Sequence, residues 1–184
     1  MPLIARTKLL AGCLLTLGAC LLPATAHAAT AAGGAAPEPP PKKAKVVDGK
    51  AIPPRGAPKR VKRVIWAANK IVEKPYRYGG GHQSFKDSGY DCSGSVSYAL
   101  HGGRFVKSPM DSSEFMHWGL AGKGKWITVY TNPGHAFMVV AGLRFDTGYR
   151  DEYSAKHGAK PGSGPRWGKP RPTSGFKVRH WRRY

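Results

Sequence analysis

Hydrophobic and polar positions follow a helical spacing first along the chain and a strand spacing later. Between positions 61 and 74 the apolar residues share one helical face: Val61, Ile65, Ala68 and Val72. Pro75 ends this pattern, because a proline disfavours helical backbone in the residue before it. The stretches 92–103 and 109–119 predict two further helices, the first closed by two glycines and the second capped by Asp111 or Ser112.

Strands are predicted after these helices. The segments "KWITVY", "HAFMVVAG" and "LRFDTG" are rich in β-branched and aromatic residues, and Asn132-Pro133-Gly134 supplies a turn between the first two. One more strand, "GFKVRHW", follows in the C-terminal part. Helices followed by antiparallel strands predict an α+β domain, in which N-terminal helices pack on a small antiparallel sheet.

The first 28 residues have the features of a signal peptide. Arg6 and Lys8 precede an apolar run, and Ala26-His27-Ala28 fits the small-x-small pattern of a signal-peptidase site. The apolar run is shorter than the roughly 20 residues of a comfortable membrane span. We therefore predict cleavage after Ala28, a secreted or cell-envelope protein, and no stable membrane insertion afterwards.

Two alternatives to plain secretion remain open. The segment could stay uncleaved as a membrane anchor, or "LGAC" could act as a lipid-attachment box that leaves Cys20 as a lipidated N-terminus. The apolar run continues beyond Cys20 into the peptidase site, which favours plain secretion.

Composition divides the remaining chain into a linker and a domain. Residues 29–60 are mostly Ala, Pro, Gly and Lys without an aromatic residue, so they cannot bury much apolar surface, and we predict a flexible linker there. Aromatic and branched residues become frequent from Val61, which predicts one domain over 61–184 with a basic C-terminal extension.

The charge is strongly positive, with 30 Lys and Arg against 10 Asp and Glu. Such a surface attracts polyanions. For an exported protein the predicted partners are anionic cell-envelope polymers, and a composition bias without function is the alternative. Nucleic acid is not predicted, because no recognised binding motif accompanies the charge.

The cysteines indicate chemistry. Cys13 and Cys20 leave with the signal peptide, so Cys92 stands alone and could form an intermolecular bridge, act as a reactive thiol or be a buried residue. Asp91 occupies the N-cap position of the predicted helix. A thiol at a helix start faces unpaired N–H groups and the positive end of the helix dipole, which favour the nucleophilic thiolate.

A reactive thiolate usually needs an imidazole partner. The candidates beyond the signal peptide are His82, His101, His117, His135, His157 and His180. His135 is favoured because it opens an apolar strand directly after a Pro-Gly turn, which would hold its side chain rigidly. His82 lies in a glycine-rich loop and is a candidate substrate contact, whereas His101 lies about 13 Å along the helix from Cys92.

A metal site is not predicted, nor is any cofactor. Cys92, His135 and Asp146 could serve as three zinc ligands, but the chain has no C-x-x-C or H-x-x-x-H spacing to support them.

Three motifs in order, "PYRYGG", "YDCSGSV" and "NPGHAFMVVAG", resemble those of the NlpC-type cysteine peptidases of bacterial cell walls, a papain-like α+β family. The resemblance covers about residues 62–147. It implies that Cys92 is the nucleophile and His135 its base, and that the Tyr76 hydroxyl lies near the oxyanion. It also places the candidate substrate-binding residues Asp91, Ser93 and Gly94 around the thiol.

The third polar residue departs from the family pattern. The family usually has His, Asn or Gln on the next strand, where this chain has "LRFDTG". Thr147 is the closest match in position, but Asp146 is favoured, because a carboxylate holds the imidazole tautomer and stabilises imidazolium. In the tail, Arg166 and Trp167 are candidates for substrate binding, with edge packing and a solvated arginine as the alternative.

The resemblance implies a secreted peptidoglycan hydrolase. Its expected substrates are stem peptides, cleaved through a cysteine thioester, commonly at the γ-D-glutamyl–diaminopimelate bond. The alternatives are an amidase or acyltransferase on the same scaffold, and a basic wall-binding protein whose catalytic site has decayed.

Overall fold

Within the residues that the structure describes, three helices form the first layer of the fold. They are α1 (Lys59–Asn69), α2 (Cys92–Gly102) and α3 (Ser112–Phe115). The apolar face of α1 is buried, as its spacing predicts, although the helix ends at Asn69 rather than at position 74. None of the helices in the part of the chain that the structure describes is long and apolar enough to cross a membrane.

The computed structural model describes residues 43–148 and 164–184. The predicted signal peptide, the first part of the predicted linker (29–42) and His157 lie outside the described residues.

The second layer is a six-stranded antiparallel sheet with the order β3-β8-β4-β5-β6-β7. Its strands are β3 (Leu120–Ala121), β4 (Ile127–Asn132), β5 (His135–Val140), β6 (Leu143–Asp146), β7 (Arg166–Gly168) and β8 (Lys177–His180). Strands β4 to β7 follow one another as neighbours, whereas β8 returns to lie between β3 and β4. The α+β prediction is confirmed.

Residues 43–60 are folded, so the prediction of a flexible linker is wrong for this part. Strands β1 (Lys45–Val47) and β2 (Lys50–Ile52) pair as a hairpin. Asp48 and Gly49 both have positive φ, as a tight hairpin turn requires. Ala51 is fully buried, and its N–H and C=O both bond the Asn69 side chain at 2.9 Å. Small alanines fill the available space here, so the segment packs without the large apolar residues that mark a core.

Helix α2 links the two layers. It packs against α1 on one side and against β5 and β6 on the other. A Cβ on Gly102 would lie 2.4 Å from the Ala67 Cβ, so the glycine permits the close approach of α1 to the end of α2. The packing of α2 on the sheet brings its first residue, Cys92, to the strands that carry His135 and Asp146.

Candidate active site

Cys92 is the first residue of α2, and its thiol is partly exposed. Asp91 is the N-cap, with extended backbone, and its Oδ1 accepts the Gly94 N–H at 2.7 Å. The Asp91 carbonyl accepts the N–H of Ser95. The capped helix therefore begins at Cys92, as the sequence predicts.

The Asp91 carboxylate also holds the glycine-rich loop against the helix. Its Oδ2 accepts the Gly79 N–H at 3.1 Å, and its Oδ1 lies 3.0 Å from Nε2 of His82. The Ser93 hydroxyl contacts the side chains of His82 and Asp91. One nearly buried carboxylate thus fixes two walls of the site relative to each other.

Gly94 permits the close contact between the glycine-rich loop and α2 and does not line the cleft. A Cβ at Gly94 would lie 2.0 Å from the carbonyl oxygen of Gly80, which belongs to the loop. Any side chain at this position would push the loop away from the helix. Gly94 is absent from the described lining of the cleft, so the prediction that it binds substrate is not supported and its role is packing.

His135 is the first residue of β5, at the end of the tight β4–β5 turn. In this turn Asn132 Oδ1 accepts the N–H of Gly134 at 3.0 Å, and Asn132 pairs with His135 across the two strands. The His135 ring and the Ala136 N–H lie close enough to the Cys92 sulfur to lower the pKa of the thiol. The turn and the strand together hold the imidazole at the nucleophile.

Asp146, and not Thr147, contacts the imidazole. Asp146 ends β6, is fully buried, and places its Oδ1 2.9 Å from Nε2 of His135. The Gly148 N–H donates to the same oxygen at 2.9 Å. Because Nε2 is engaged by Asp146, Nδ1 is the ring nitrogen left for the thiol.

Two arginines neutralise the other Asp146 oxygen. Arg144 Nε lies 3.5 Å and an Arg171 terminal nitrogen 3.7 Å from Oδ2. Neither residue was predicted from the sequence. Arg144 is buried two strand positions before Asp146, an obvious carboxylate partner, but Arg171 comes from a proline-rich stretch with no detectable pattern.

The pKa shifts favour a thiolate–imidazolium pair. Burial raises the pKa of Cys92, but hydrogen bonds with His135 and the Ala136 N–H bring it below its ordinary value of 9.0. Burial lowers the pKa of His135, but the hydrogen bonds and charges of Asp146 and Cys92 raise it from 6.5 to about 9. The pKa of Asp146 is lowered despite burial, because His135, the Gly148 N–H and Arg144 favour the carboxylate.

A cleft of about 430 Å³ reaches the thiol. Its described lining comes from the glycine-rich loop, the start of α2, the start of α3 and the β4–β5 turn: Tyr76, Tyr78, Gly79, His82, Asp91, Cys92, Ser93, Asp111, Ser112, Ser113, Pro133 and Gly134. Tyr76 is partly exposed, and burial together with the nearby Cys92 and Asp91 raises the pKa of its hydroxyl. Five of these residues were predicted for the site from the sequence: Tyr76, His82, Asp91, Cys92 and Ser93.

The wall from α3 and the aromatic Tyr78 were missed. The capping box of α3 is present, since Asp111 and Glu114 bond each other's backbone N–H, but a cap alone gives no sign of a cleft. Tyr78 is 91% exposed and lies inside the "PYRYGG" motif, so an exposed aromatic beside Tyr76 was the available signal.

Trp167 and Arg166 lie outside the described cleft lining. Trp167 is fully buried, packs on Phe145 and donates its indole N–H to Asn69 at 2.8 Å, so the prediction that it contacts substrate is wrong. The Arg166 guanidinium bonds the carbonyls of Val72 and Pro165 instead. Both residues join β7 to the region around the end of α1.

Other histidines have structural partners. His101 stacks on Phe85 with ring centroids 3.8 Å apart and contacts the Val106 carbonyl. His180 contacts the carbonyl of Gly122. Among residues 43–148 and 164–184 there is no group of three or more His, Cys, Asp or Glu side chains that could hold a metal ion.

Comparisons with known proteins find similarity only among solved structures. No family model matches the chain, and no curated protein matches it. A mutated form of the Resuscitation Promoting Factor Interacting protein RipA is 19% identical over 67% of this chain, with a TM-score of 0.46, and the match spans 62% of the RipA chain, less than two thirds of it.

Two further structures show comparably low sequence identity and TM-scores. The peptidoglycan hydrolase RipB from Mycobacterium tuberculosis is 23% identical over 67% of this chain and 68% of its own, with a TM-score of 0.47. The P60 domain of an antigen from M. avium subspecies paratuberculosis is 18% identical over 66% of this chain and 94% of its own, with a TM-score of 0.43. These similarities are too distant to assign the chain to a family.

Proposed function

We propose that this protein is a cysteine hydrolase that cleaves amide bonds in the stem peptides of peptidoglycan. The observation that carries the proposal is a line of three side chains that runs inward from the cleft: the Cys92 thiol, which lines the cleft, then the His135 imidazole and the buried Asp146 carboxylate. A structural cysteine would need neither the helix start nor a histidine whose pKa is raised to about 9.

The first half of the reaction forms a thioester. The Cys92 thiolate attacks the amide carbonyl carbon, so a C–S bond forms and the carbonyl electrons move to oxygen. Asp91 already engages the N–H groups of Gly94 and Ser95, which leaves those of Cys92 and Ser93, with the Tyr76 hydroxyl, to stabilise the oxyanion. His135 then transfers its proton to the leaving nitrogen as the C–N bond breaks.

The second half regenerates the enzyme. Neutral His135 takes a proton from water, and the hydroxide formed attacks the thioester carbonyl. Collapse of the oxyanion breaks the C–S bond and releases the new carboxylic acid, which loses its proton to solvent, while the imidazolium again faces the thiolate. Asp146 orients the ring through Nε2 and stabilises its positive charge in both halves.

The polarity of the cleft supports a substrate that carries an ammonium group. Its described lining contains Asp91 and Asp111 but no Lys or Arg, in a chain whose net charge is +20. Diaminopimelate in a stem peptide carries such an ammonium group beside a carboxylate. The γ-D-glutamyl–diaminopimelate bond is therefore the proposed cleavage site, and the proposed location is the cell envelope, reached through the signal peptide.

The test is digestion of purified muropeptides by the mature protein, with mass spectrometry of the products. We expect a new D-glutamate carboxyl terminus and a new diaminopimelate amino terminus, and complete loss of product in Cys92→Ala and in protein treated with a thiol alkylator. His135→Ala should lose at least about 100-fold in rate, whereas His101→Ala, a histidine outside the cleft, should keep it.

The products decide between the alternatives. Separation of sugar from stem peptide would identify an amidase, and a product joined to a second amine would identify an acyltransferase; either would replace the proposed bond or reaction. Identical products from the wild type and Cys92→Ala would exclude cysteine chemistry altogether.

A further inference from the structure

An exposed tryptophan lies in a positively charged groove on the opposite end of α2 from the thiol. The groove has a volume of about 310 Å³ and is lined by Arg63, Trp66, Ala67, Lys70, Gly102 and Arg104. We call these six residues the Trp66 groove. None of them belongs to the lining of the catalytic cleft.

Helical spacing assembles one wall of the Trp66 groove. Positions 63, 66, 67 and 70 lie on one face of α1 and the turn that follows it. Ala67 and Gly102 form the floor, because the missing side chain of Gly102 lets the two helices touch there. Half of the Trp66 surface is exposed, although three other tryptophans of the chain, Trp118, Trp126 and Trp167, are buried.

The charge of the groove is not balanced locally. Within the described part of the chain no carboxylate forms an ion pair with Arg63, Lys70 or Arg104. The carbonyls of Gly103 and Arg104, at the negative end of α2, are already bonded by the Arg60 guanidinium. Three cations therefore share the groove with the Trp66 ring and have no described acidic partner.

We propose that the Trp66 groove binds an anionic polysaccharide. The apolar face of a sugar ring can pack on the indole, while carboxylate or phosphate groups on the same polymer meet Arg63, Lys70 and Arg104. Single-stranded nucleic acid fits less well, because its binding uses successive aromatic platforms and the groove offers one. A membrane surface fits less well because the wide apolar face of α1 is buried in the core.

The groove lies close enough to the catalytic cleft for polymer binding to assist catalysis. Cys92 and Gly102 are the first and last residues of α2, about 15 Å apart at 1.5 Å per residue. A polymer held at the groove therefore keeps its neighbourhood within reach of the catalytic cleft. The inference concerns binding only, so it can fail while the proposed hydrolysis holds, and the reverse.

The test measures the affinity of the full mature protein for oligogalacturonate, a sugar polymer with one carboxylate per ring, by titration calorimetry at low salt. Trp66→Ala should weaken binding about threefold to tenfold. The triple variant Arg63→Gln, Lys70→Gln, Arg104→Gln should weaken it further. A matched triple variant of exposed cations elsewhere, Lys50→Gln, Arg55→Gln, Arg182→Gln, should have a clearly smaller effect.

Three other probes identify the ligand class. Neutral dextran should bind far more weakly than oligogalacturonate, and polyphosphate should lose affinity in the groove triple variant but not in Trp66→Ala. Unchanged oligogalacturonate affinity in Trp66→Ala, or equal losses in the two triple variants, would overturn the proposal in favour of nonspecific charge attraction. Tighter, Trp66-dependent binding of oligo-dT would overturn it in favour of nucleic acid.

Discussion

At the scale of single residues, Asp146 sets the orientation and the charge of the catalytic imidazole. It is fully buried, yet it carries a charge, because His135, the Gly148 N–H and two arginines stabilise the carboxylate. The sequence could identify it, since a carboxylate is the suitable partner for an imidazole. The sequence could not exclude Thr147, because the choice depends on which way the end of β6 faces.

The first prediction concerns the pH profile of kcat/KM. The thiolate–imidazolium pair exists above the lowered pKa of Cys92 and below the raised pKa of His135, so we expect an acid limb set by the thiol, below its ordinary pKa, and an alkaline limb near pH 9. The raised pKa of His135 also stabilises the fold below pH 6.5, and this contribution is lost as pH rises through about 9. An alkaline limb near pH 6.5 would mean that the imidazole is not held by Asp146.

Asp146→Asn tests the same pair directly. Without the negative charge the pKa of His135 falls, so the alkaline limb should move to lower pH, and kcat/KM should drop on the order of 100-fold or more. Thr147→Val is the neighbouring control, since the described carboxylate contact with the ring comes from Asp146, and it should keep the limb of the wild type. If Asp146→Asn lowered activity without moving the limb, its role would be structural only.

Elements, rather than residues, explain which predictions from the sequence held and which did not. The helix that starts at Cys92 and the strand that starts at His135 follow local signals, an N-cap and a tight turn, and both were predictable. The β1–β2 hairpin and the burial of Trp167 were not, because they depend on Asn69, which binds Ala51 and Trp167 from positions distant in sequence. Composition cannot report such contacts.

Gly94→Ala should break the junction between the glycine-rich loop and α2. Alanine is the better helix former, but its Cβ would lie 2.0 Å from the Gly80 carbonyl, so we expect a loss of about 2–4 kcal/mol in the free energy of unfolding. Gly56→Ala is the matched control, because its Cβ would meet nothing within 4 Å, and its effect should stay within about 0.5 kcal/mol. Urea unfolding of both variants gives the comparison; equal stabilities would mean that the loop yields freely.

The charge distribution is a property of the whole molecule. The net charge is +20, yet the described lining of the catalytic cleft contains two aspartates and no Lys or Arg. The composition predicted an attraction to polyanions but could not reveal that the cleft differs in polarity from the rest. That separation supports the two proposals made above, an anionic polymer bound at the surface and an ammonium group bound in the cleft.

Salt should therefore affect the hydrolysis of whole sacculi and of small soluble substrates differently. Raising ionic strength from 0.1 to 1 M shortens the screening length from about 10 to about 3 Å, so hydrolysis of whole cell-wall sacculi should fall severalfold. Hydrolysis of a small soluble stem peptide should change much less, because its contacts lie inside the cleft. Turnover of both substrates is measured across the same salt series, and a parallel decline would show that surface attraction plays no separate part.

The position of β8 has a consequence for the order in which the molecule can be assembled. Strand β8 lies between β3 and β4, yet it is made after every other strand of that sheet. Until β8 has been synthesised, β4 therefore presents a bare row of amide and carbonyl groups, a template for mispairing with another copy. A chain truncated before Lys177 would keep Cys92, His135 and Asp146 but would carry this open edge permanently. Its main defect would be aggregation rather than loss of the catalytic residues.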